Sequence, residues 1–194
     1  MSSPGLRERK KQKTRWAIQA HAVRLFVQQG YDATTVEQIA EAAEISPSTF
    51  FRYFKTKEDV VIQDRYDEVM ADEIRKAPAD LPPLEVVRRA ILVSFETIDP
   101  QEVEQVLQRA RLQFQVPALR MRSLDSMQDS IRYLAVPLAE RLGRPPDDFR
   151  CQAFIGACVG AMINGLMVWV REGSDLLQVR ELIDESLSVI ADGP

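Results

Sequence analysis

The 194-residue sequence contains one histidine and two cysteines, too few donors for a four-ligand His/Cys metal site. Cys151 and Cys158 are seven residues apart. On one helix they would stand about 10 Å apart along the axis, beyond disulfide reach, and reduced thiols suit a cytoplasmic protein. Glycine (8) and proline (11) are too sparse for a collagen-like or low-complexity chain. Period-two alternation is nearly missing, so no sheet is expected. There is no Gly-rich phosphate loop. His21 falls beside Ala22 on the expected surface of the first helix, so no acid–base or nucleophilic pair assembles around it. No catalytic residue, cofactor or metal is expected. What is plentiful is hydrophobic (45%) and charged (28%) residues, enough for a packed core in one ordinary domain or two small ones.

Negative charge is unevenly distributed. Residues 1–57 carry ten Lys/Arg against five Asp/Glu, whereas residues 58–194 carry fifteen against twenty-four. A basic head on an acidic body implies an anionic partner for the head alone. The first sixteen residues hold Arg7, Arg9, Lys10, Lys11, Lys13 and Arg15 against Glu8, with no apolar run behind them to make a signal peptide.

Apolar residues recur at spacings of three and four. Ile18, Ala22, Leu25 and Phe26 form one helical face, and Gly30 is a stop. Thr34 with Glu37, or Thr35 with Gln38, makes a capping box for a second helix whose buried face is Val36, Ile39, Ala40 and Ala43. Ser46 caps a third helix with Pro47 at its first position and Phe50 and Phe54 pointing inward. Thr56, with Asp59 reaching back, starts a fourth helix expected to run to about Ala77. Later starts fall at Pro83, Pro100 after Asp99, and Pro117. Pro137 is expected to kink or split its helix, Gly143–Pro146 is a loop, and two last helices span roughly 147–171 and 175–191, with Gly173 and Ser174 between them. Cys151–Val170 is twenty uncharged residues and contains a GxxxG. Gln152 and Asn164 interrupt it, so it reads as a helix pressed between its own domain and a partner subunit, not as a membrane span.

Residues 35–54 read as helix, tight turn, helix. The exposed positions of the second helix, Pro47, Ser48, Thr49, Arg52 and Tyr53, are small, hydroxylated, basic or aromatic, with no acid among them. Such a helix end fits the major groove, with hydroxyls and Arg directed at base edges or phosphates. Lys57 in the first turn of the next helix opposes its macrodipole unless an anion sits there.

The stretch Gly30–Val36, Ile39-Ala40, Ala43, Ile45–Phe54 and Lys57-Glu58 resembles the DNA-binding domain of TetR-family repressors over roughly residues 14–62. Two positions depart from the family pattern: Glu44 stands at the turn where glycine is usual, and Phe51 stands where tyrosine is usual. The resemblance implies an all-α homodimer, with a helix-turn-helix domain over residues 1–60 and a helical ligand-binding and dimerisation domain over 61–194. It also implies double-stranded palindromic DNA as partner, read by Thr34, Thr35, Ser46, Pro47, Ser48, Thr49, Arg52, Tyr53 and Lys57, and a small-molecule effector that releases it. A helical adaptor and a small enzyme are the alternatives.

Residues 105–134 carry Arg109, Arg111, Arg120, Arg122 and Arg132 against Asp125 and Asp129. Phe114, Met121, Met127 and Tyr133 lie in the same stretch, and Phe95, Phe154 and Met162 are placed to face it. Apolar walls with methionines suit an acyl chain or a flat aromatic, and arginines at the mouth suit a carboxylate or phosphate. The C-terminal half faintly resembles the branch of the family that binds acyl-coenzyme A-like ligands, which implies an acyl-CoA or fatty acid as effector.

Overall fold

The computed structural model describes residues 6–63, 66–99, 102–172 and 176–193, and among them the chain is helical with no strand. Ten helices follow in order: α1 (Leu6–Gln29), α2 (Val36–Ala42), α3 (Pro47–Tyr53), α4 (Asp59–Ile62), α5 (Tyr66–Lys76), α6 (Pro83–Glu96), α7 (Val103–Gln115), α8 (Pro117–Arg141), α9 (Phe149–Glu172) and α10 (Leu176–Asp192).

Two apolar cores organise them. Ile18, Phe26, Ile39, Phe50, Phe54 and Val60–Ile62 close the first, around α1–α4. The second is built from α5–α10 around Ile74, Val86, Ile91, Leu138, Ile155, Trp169 and Ile183. The division at residue 60 expected from sequence is crossed by the corner between α7 and α8. Leu119 is fully buried in the first core, with Leu112 and Val116 packed beside it.

The fourth helix corrects the expectation of one helix from Thr56 to about Ala77. Thr56 does accept the Asp59 N–H, at 3.2 Å, but α4 ends at Ile62 and Gln63 is extended (φ −76°, ψ 125°). The physical cause lies on α1. The buried Gln19 amide donates to the carbonyls of Val60 (3.0 Å) and Gln63 (2.7 Å), so a side chain occupies acceptors that a continuing helix would have used. The next described helix, α5, spans Tyr66–Lys76.

Pro83 and Pro117 take first helical positions as expected. Pro137 does not split α8, which runs unbroken and buries the ring. The carbonyl that loses its donor there belongs to Tyr133, whose residue is exposed, so water can serve it. The start expected at Pro100 and the stop and cap expected at Gly173 and Ser174 lie outside the described residues.

Polar contacts add to the apolar packing of the C-terminal helices. Arg88 grips Asp184 through two bonds (2.5 and 2.6 Å), joining α6 to α10. Arg141 donates to the carbonyls of Ala77 (2.8 Å) and Pro78, fixing the loop between α5 and α6. α9 and α10 approach closely at Gly165, where a Cβ would sit 2.9 Å from the backbone of Ile183 and Leu182. Among the described residues α9 is the one helix long and apolar enough to cross a membrane, with 28% of its most apolar stretch buried in the single chain. Its exposed stripe is Ala153, Ala157, Gly160, Asn164 and Met167.

Gly165→Ala forces the α9–α10 backbones apart, because neither neighbour is a flexible side chain. A loss of about 1–3 kcal/mol in urea unfolding is expected. A variant as stable as the parent would show that the two helices slide freely at this crossing.

Candidate nucleic-acid interface and effector cavity

The helix-turn-helix is set by local bonding. Thr35, not Thr34, caps α2: its hydroxyl accepts the Gln38 N–H and Gln38 reaches back to the Thr35 N–H (2.9 Å). Thr34 is 1% exposed and its hydroxyl donates to the Gly30 carbonyl at 2.7 Å. Its place among the DNA-reading residues is therefore withdrawn; Thr34 folds the loop before α2. The turn after α2 is a Schellman motif, with Glu44 N–H on Glu41 O (3.0 Å) and Ile45 N–H on Ala40 O (2.9 Å). Glu44 makes it at φ 55°, the left-handed conformation that glycine adopts without steric cost.

Ser46 then caps α3. Its hydroxyl accepts the Thr49 N–H at 3.1 Å and lies 2.8 Å from the Ser48 hydroxyl and 3.0 Å from that of Thr49. Phe50 and Phe54 are buried, so Pro47, Ser48, Phe51 and Arg52 are left exposed on the other face, with Thr49 and Tyr53 partly buried beside them. Phe51 is 53% exposed, an apolar contact on a face otherwise hydroxylated and basic. The Arg52 guanidinium lies 5.7 Å from the Tyr53 ring centre.

Lys57 differs from its sequence reading in setting. It lies in the turn before α4, not in a helical first turn. Its ammonium donates to the carbonyls of Tyr31 (2.9 Å) and Thr34 (3.0 Å) and lies 4.0 Å from the Tyr31 ring centre. Lys57 therefore pins the α1–α2 loop to the α3–α4 turn, leaving one of its three N–H groups for a phosphate. Beside it, the Tyr31 hydroxyl donates to the Glu58 carboxylate. Burial pushes the Tyr31 phenol well above its ordinary value, and the Glu58 acceptor adds to that. For Glu58, burial acts upward, but the Tyr31 hydroxyl, its own backbone amide, the Thr56 hydroxyl and the Lys57 charge hold the carboxyl below its usual range.

A cavity of about 510 Å³ lies below this unit, enclosed by α5–α9 and by α1 and the α4–α5 junction. Of the eight expected ligand residues, Phe95, Arg109, Phe114, Met127 and Met162 line it. Three do not. Met121 (68% exposed) and Tyr133 (45% exposed) sit on the outer face of α8, and Phe154 packs against the second core. The arginine cluster also disperses. Arg111 lies 4.9 Å from the Trp169 ring centre. Arg122 bonds the buried Asp59 of α4 at 3.0 and 3.1 Å, Arg132 pairs with Asp129 (3.3 Å), and Arg120 is exposed. Among the five, Arg109 alone lines the cavity, with its guanidinium 5.8 Å from the Tyr66 ring centre.

Sequence reasoning missed most of the polar lining, including Arg15, Gln63, Tyr66, the acids Asp67 and Glu68, and Ser123, Ser126 and Ser130. A signal for the serines was present. Ser123, Ser126, Met127, Ser130 and Leu134 recur at helical spacing and share the cavity-facing side of α8. Nothing in the sequence pointed to Arg15 or Gln63, which depend on how α4 ends.

The model for bacterial regulatory proteins of the tetR family matches residues 18–63, and that for the MftR C-terminal domain matches residues 81–194. The chain is 38% identical over 173 residues to the HTH-type transcriptional regulator TcmR of Streptomyces glaucescens, covering 84% of this chain and 76% of that one. It is 26% identical over 177 residues to the putative mycofactocin biosynthesis transcriptional regulator MftR of Mycobacterium tuberculosis, covering 89% and 86%. Among solved structures it is similar to FadR of Thermus thermophilus, a transcriptional repressor in complex with lauroyl-CoA. There the TM-score is 0.55 at 25% identity, covering 92% of this chain and 94% of that one.

Two measurements check the geometry of the reading head. Glu44→Gly removes the left-handed strain at the turn and is expected to stabilise the protein by about 1 kcal/mol, net of the extra unfolded-state freedom of glycine. A destabilised variant would mean that the Glu44 side chain outweighs its backbone cost. The depressed Glu58 carboxyl stabilises the fold above the unfolded-chain value of about 4.3. That contribution fades as pH falls through the lower folded value. Thermal melts between neutral pH and pH 3 should therefore show a shallower acid decline for Glu58→Gln than for the parent; parallel declines would remove Glu58 from the acid response.

Proposed function

This chain belongs to the TetR family of bacterial transcriptional regulators, and we propose that it is a cytoplasmic, dimeric repressor that a small amphipathic effector releases from a palindromic operator. The observation that carries the reading is a cavity whose wall includes residues of the DNA-reading unit, Arg15 and Ile62, alongside Phe95, Met127 and Met162 of the helical body. A molecule lodged there touches both units. It shifts the DNA-binding equilibrium only through a difference in affinity for the two arrangements.

The reading residues are Thr35, Ser46–Thr49, Arg52 and Tyr53, with Lys57 adding a phosphate contact. Ser48 and Arg52 supply the exposed polar groups of α3, and the basic segment before it adds affinity without sequence preference. Dimerisation uses the outer faces of α9 and α10. Gly160 has nothing within 4 Å of where its Cβ would be, so its surface is open in the single chain, while Leu177 (68%) and Val189 (48%) are exposed on α10. A seam of this composition suits a helical pair meeting its symmetry mate.

Apolar side chains on the cavity wall suit an acyl chain, and the lauroyl-CoA bound by the Thermus thermophilus repressor makes acyl-CoA the first candidate. Acyl-CoA esters, free fatty acids and neutral aromatics, titrated against the operator complex in mobility shifts, test this. Release by acyl-CoA esters or fatty acids is expected; release by neutral aromatics alone would overturn the amphipathic-anion assignment.

Two substitutions test the remaining parts. Arg52→Ala should change which operators are preferred, whereas Lys57→Ala should weaken all of them and lower the salt slope by at most about one. Gly160→Leu should leave each subunit folded but shift sedimentation at micromolar concentration toward monomer. An unchanged sedimentation profile would move the seam elsewhere.

A further inference from the structure

Three hydroxyls on one face of α8, those of Ser123, Ser126 and Ser130, line the cavity at spacings of three and four residues. They form a polar strip about 10 Å long in a cavity whose other walls include Phe95, Phe114 and Met162. The outer two have committed their protons. Ser123 Oγ donates to the Leu119 carbonyl at 2.8 Å, and Ser130 Oγ to the Asp67 carboxylate at 2.5 Å. Each therefore offers a ligand only lone pairs. Ser94 of α6, which donates to the Ile91 carbonyl at 2.6 Å, is in the same state on the same cavity. Ser126 differs. It is partly buried on the wall and makes no hydrogen bond among the described residues, and the same holds for the Gln113 amide on α7.

We propose that the effector carries a hydroxyl on its apolar body, received by Ser126 and Gln113 together with the lone pairs of Ser123 or Ser130. This rests on the cavity being the effector site and adds what the apolar body must bear. A plain methylene chain lying on α8 strips water from Ser126 and Gln113 and returns no bond, which counts against it. A ketone oxygen accepts from Ser126 or Gln113 but has no proton for Ser123 or Ser130. A hydroxyl donates and accepts at once, so it satisfies both kinds of wall group. Polar groups held on a wall reject an analogue that lacks their partner more strongly than an apolar pocket rejects a change of one methylene. The strip thus selects for a proton-bearing oxygen on a chain that the rest of the cavity selects for its apolar surface.

The test titrates dodecanoate, and its isomers bearing one hydroxyl at each carbon from C2 to C12, into the full-length protein by calorimetry. The ketone matching the tightest alcohol is the control. One or more of the alcohols should bind about tenfold more tightly than dodecanoate, and more tightly than the matching ketone. Ser126→Ala and Gln113→Leu should each lower that preference severalfold while binding dodecanoate at least as tightly as the wild type. Ser126→Thr, which keeps the hydroxyl, should retain the preference. Met162→Trp, which fills the cavity, should weaken every chain. A wild type that favours no alcohol over dodecanoate overturns the proposal. So does a preference that survives in both Ser126→Ala and Gln113→Leu, or binding that Met162→Trp leaves untouched. Operator release by plain acyl chains with no preference for an alcohol would overturn this inference and leave the effector reading standing. A preference for an alcohol that never releases operator would do the reverse.

Discussion

A single buried amide on α1 fixes where α4 ends, at the junction with the helical body. Gln19, 4% exposed on α1, donates to the carbonyls of Val60 and Gln63. Leaving such an amide unsatisfied costs more than the bond contributes when made, so the end of α4 is held where those two carbonyls can be reached. That position ends α4 after one turn and brings Gln63 within reach of Arg15. It also places Ile62 and Gln63 on the cavity wall. The end of α4 that joins the cavity wall to the reading head is therefore held by side chains.

The clamp explains what the sequence made legible and what it did not. The reading head was legible because its determinants are local: a capping box at Thr35 and Gln38, Ser46 before Pro47, and apolar spacing through Phe50 and Phe54. The turn residue was legible only as a departure from the usual glycine; that Glu44 itself takes the left-handed conformation is seen in the structure alone. The fourth helix was misread because its end is decided forty-one and forty-four residues away, by Gln19. No helix signal in the segment itself announces that. Thr34 was misplaced for a related reason: the adjacent capping boxes are alike in sequence, and only the burial of Thr34 separates them.

The cavity lining was half legible. Phe95, Phe114, Met127 and Met162 were identified as apolar wall, because apolar residues at helical spacing must be buried somewhere and a cavity takes its share. The arginines were over-read as a group. Charge density along a sequence says nothing about direction around a helix, and on α7 and α8 the five guanidinia point to different surroundings. Arg122 is the instructive case. Its partner Asp59 is 1% exposed, and Asp59 Oδ2 is buried without a hydrogen-bond partner. A half-satisfied buried carboxylate makes a poor ornament but a good constraint, because losing Arg122 would strand its charge. α8 is thereby tied to α4 one residue before Ser123, which faces the cavity.

Leu119 shows why these ties act on the reading head instead of ending within the body. It is a residue of α8, yet it is fully buried among Ile18, Phe50 and Val60 of the first core. Close-packed interiors do not deform continuously. A shift of α8 at Ser123 or Met127 therefore moves Leu119 within a core that also positions α3. Clearing the operator almost completely from an almost completely bound state requires about 10⁴-fold preference for one arrangement, roughly 5.5 kcal/mol. One hydrogen bond at Arg15 does not reach that figure. Arg15 on Gln63, Arg122 on Asp59 and Leu119 in the first core add further contacts at the same junction. All three meet at the short α4 or the core it completes, so an effector that disturbs the junction disturbs them together.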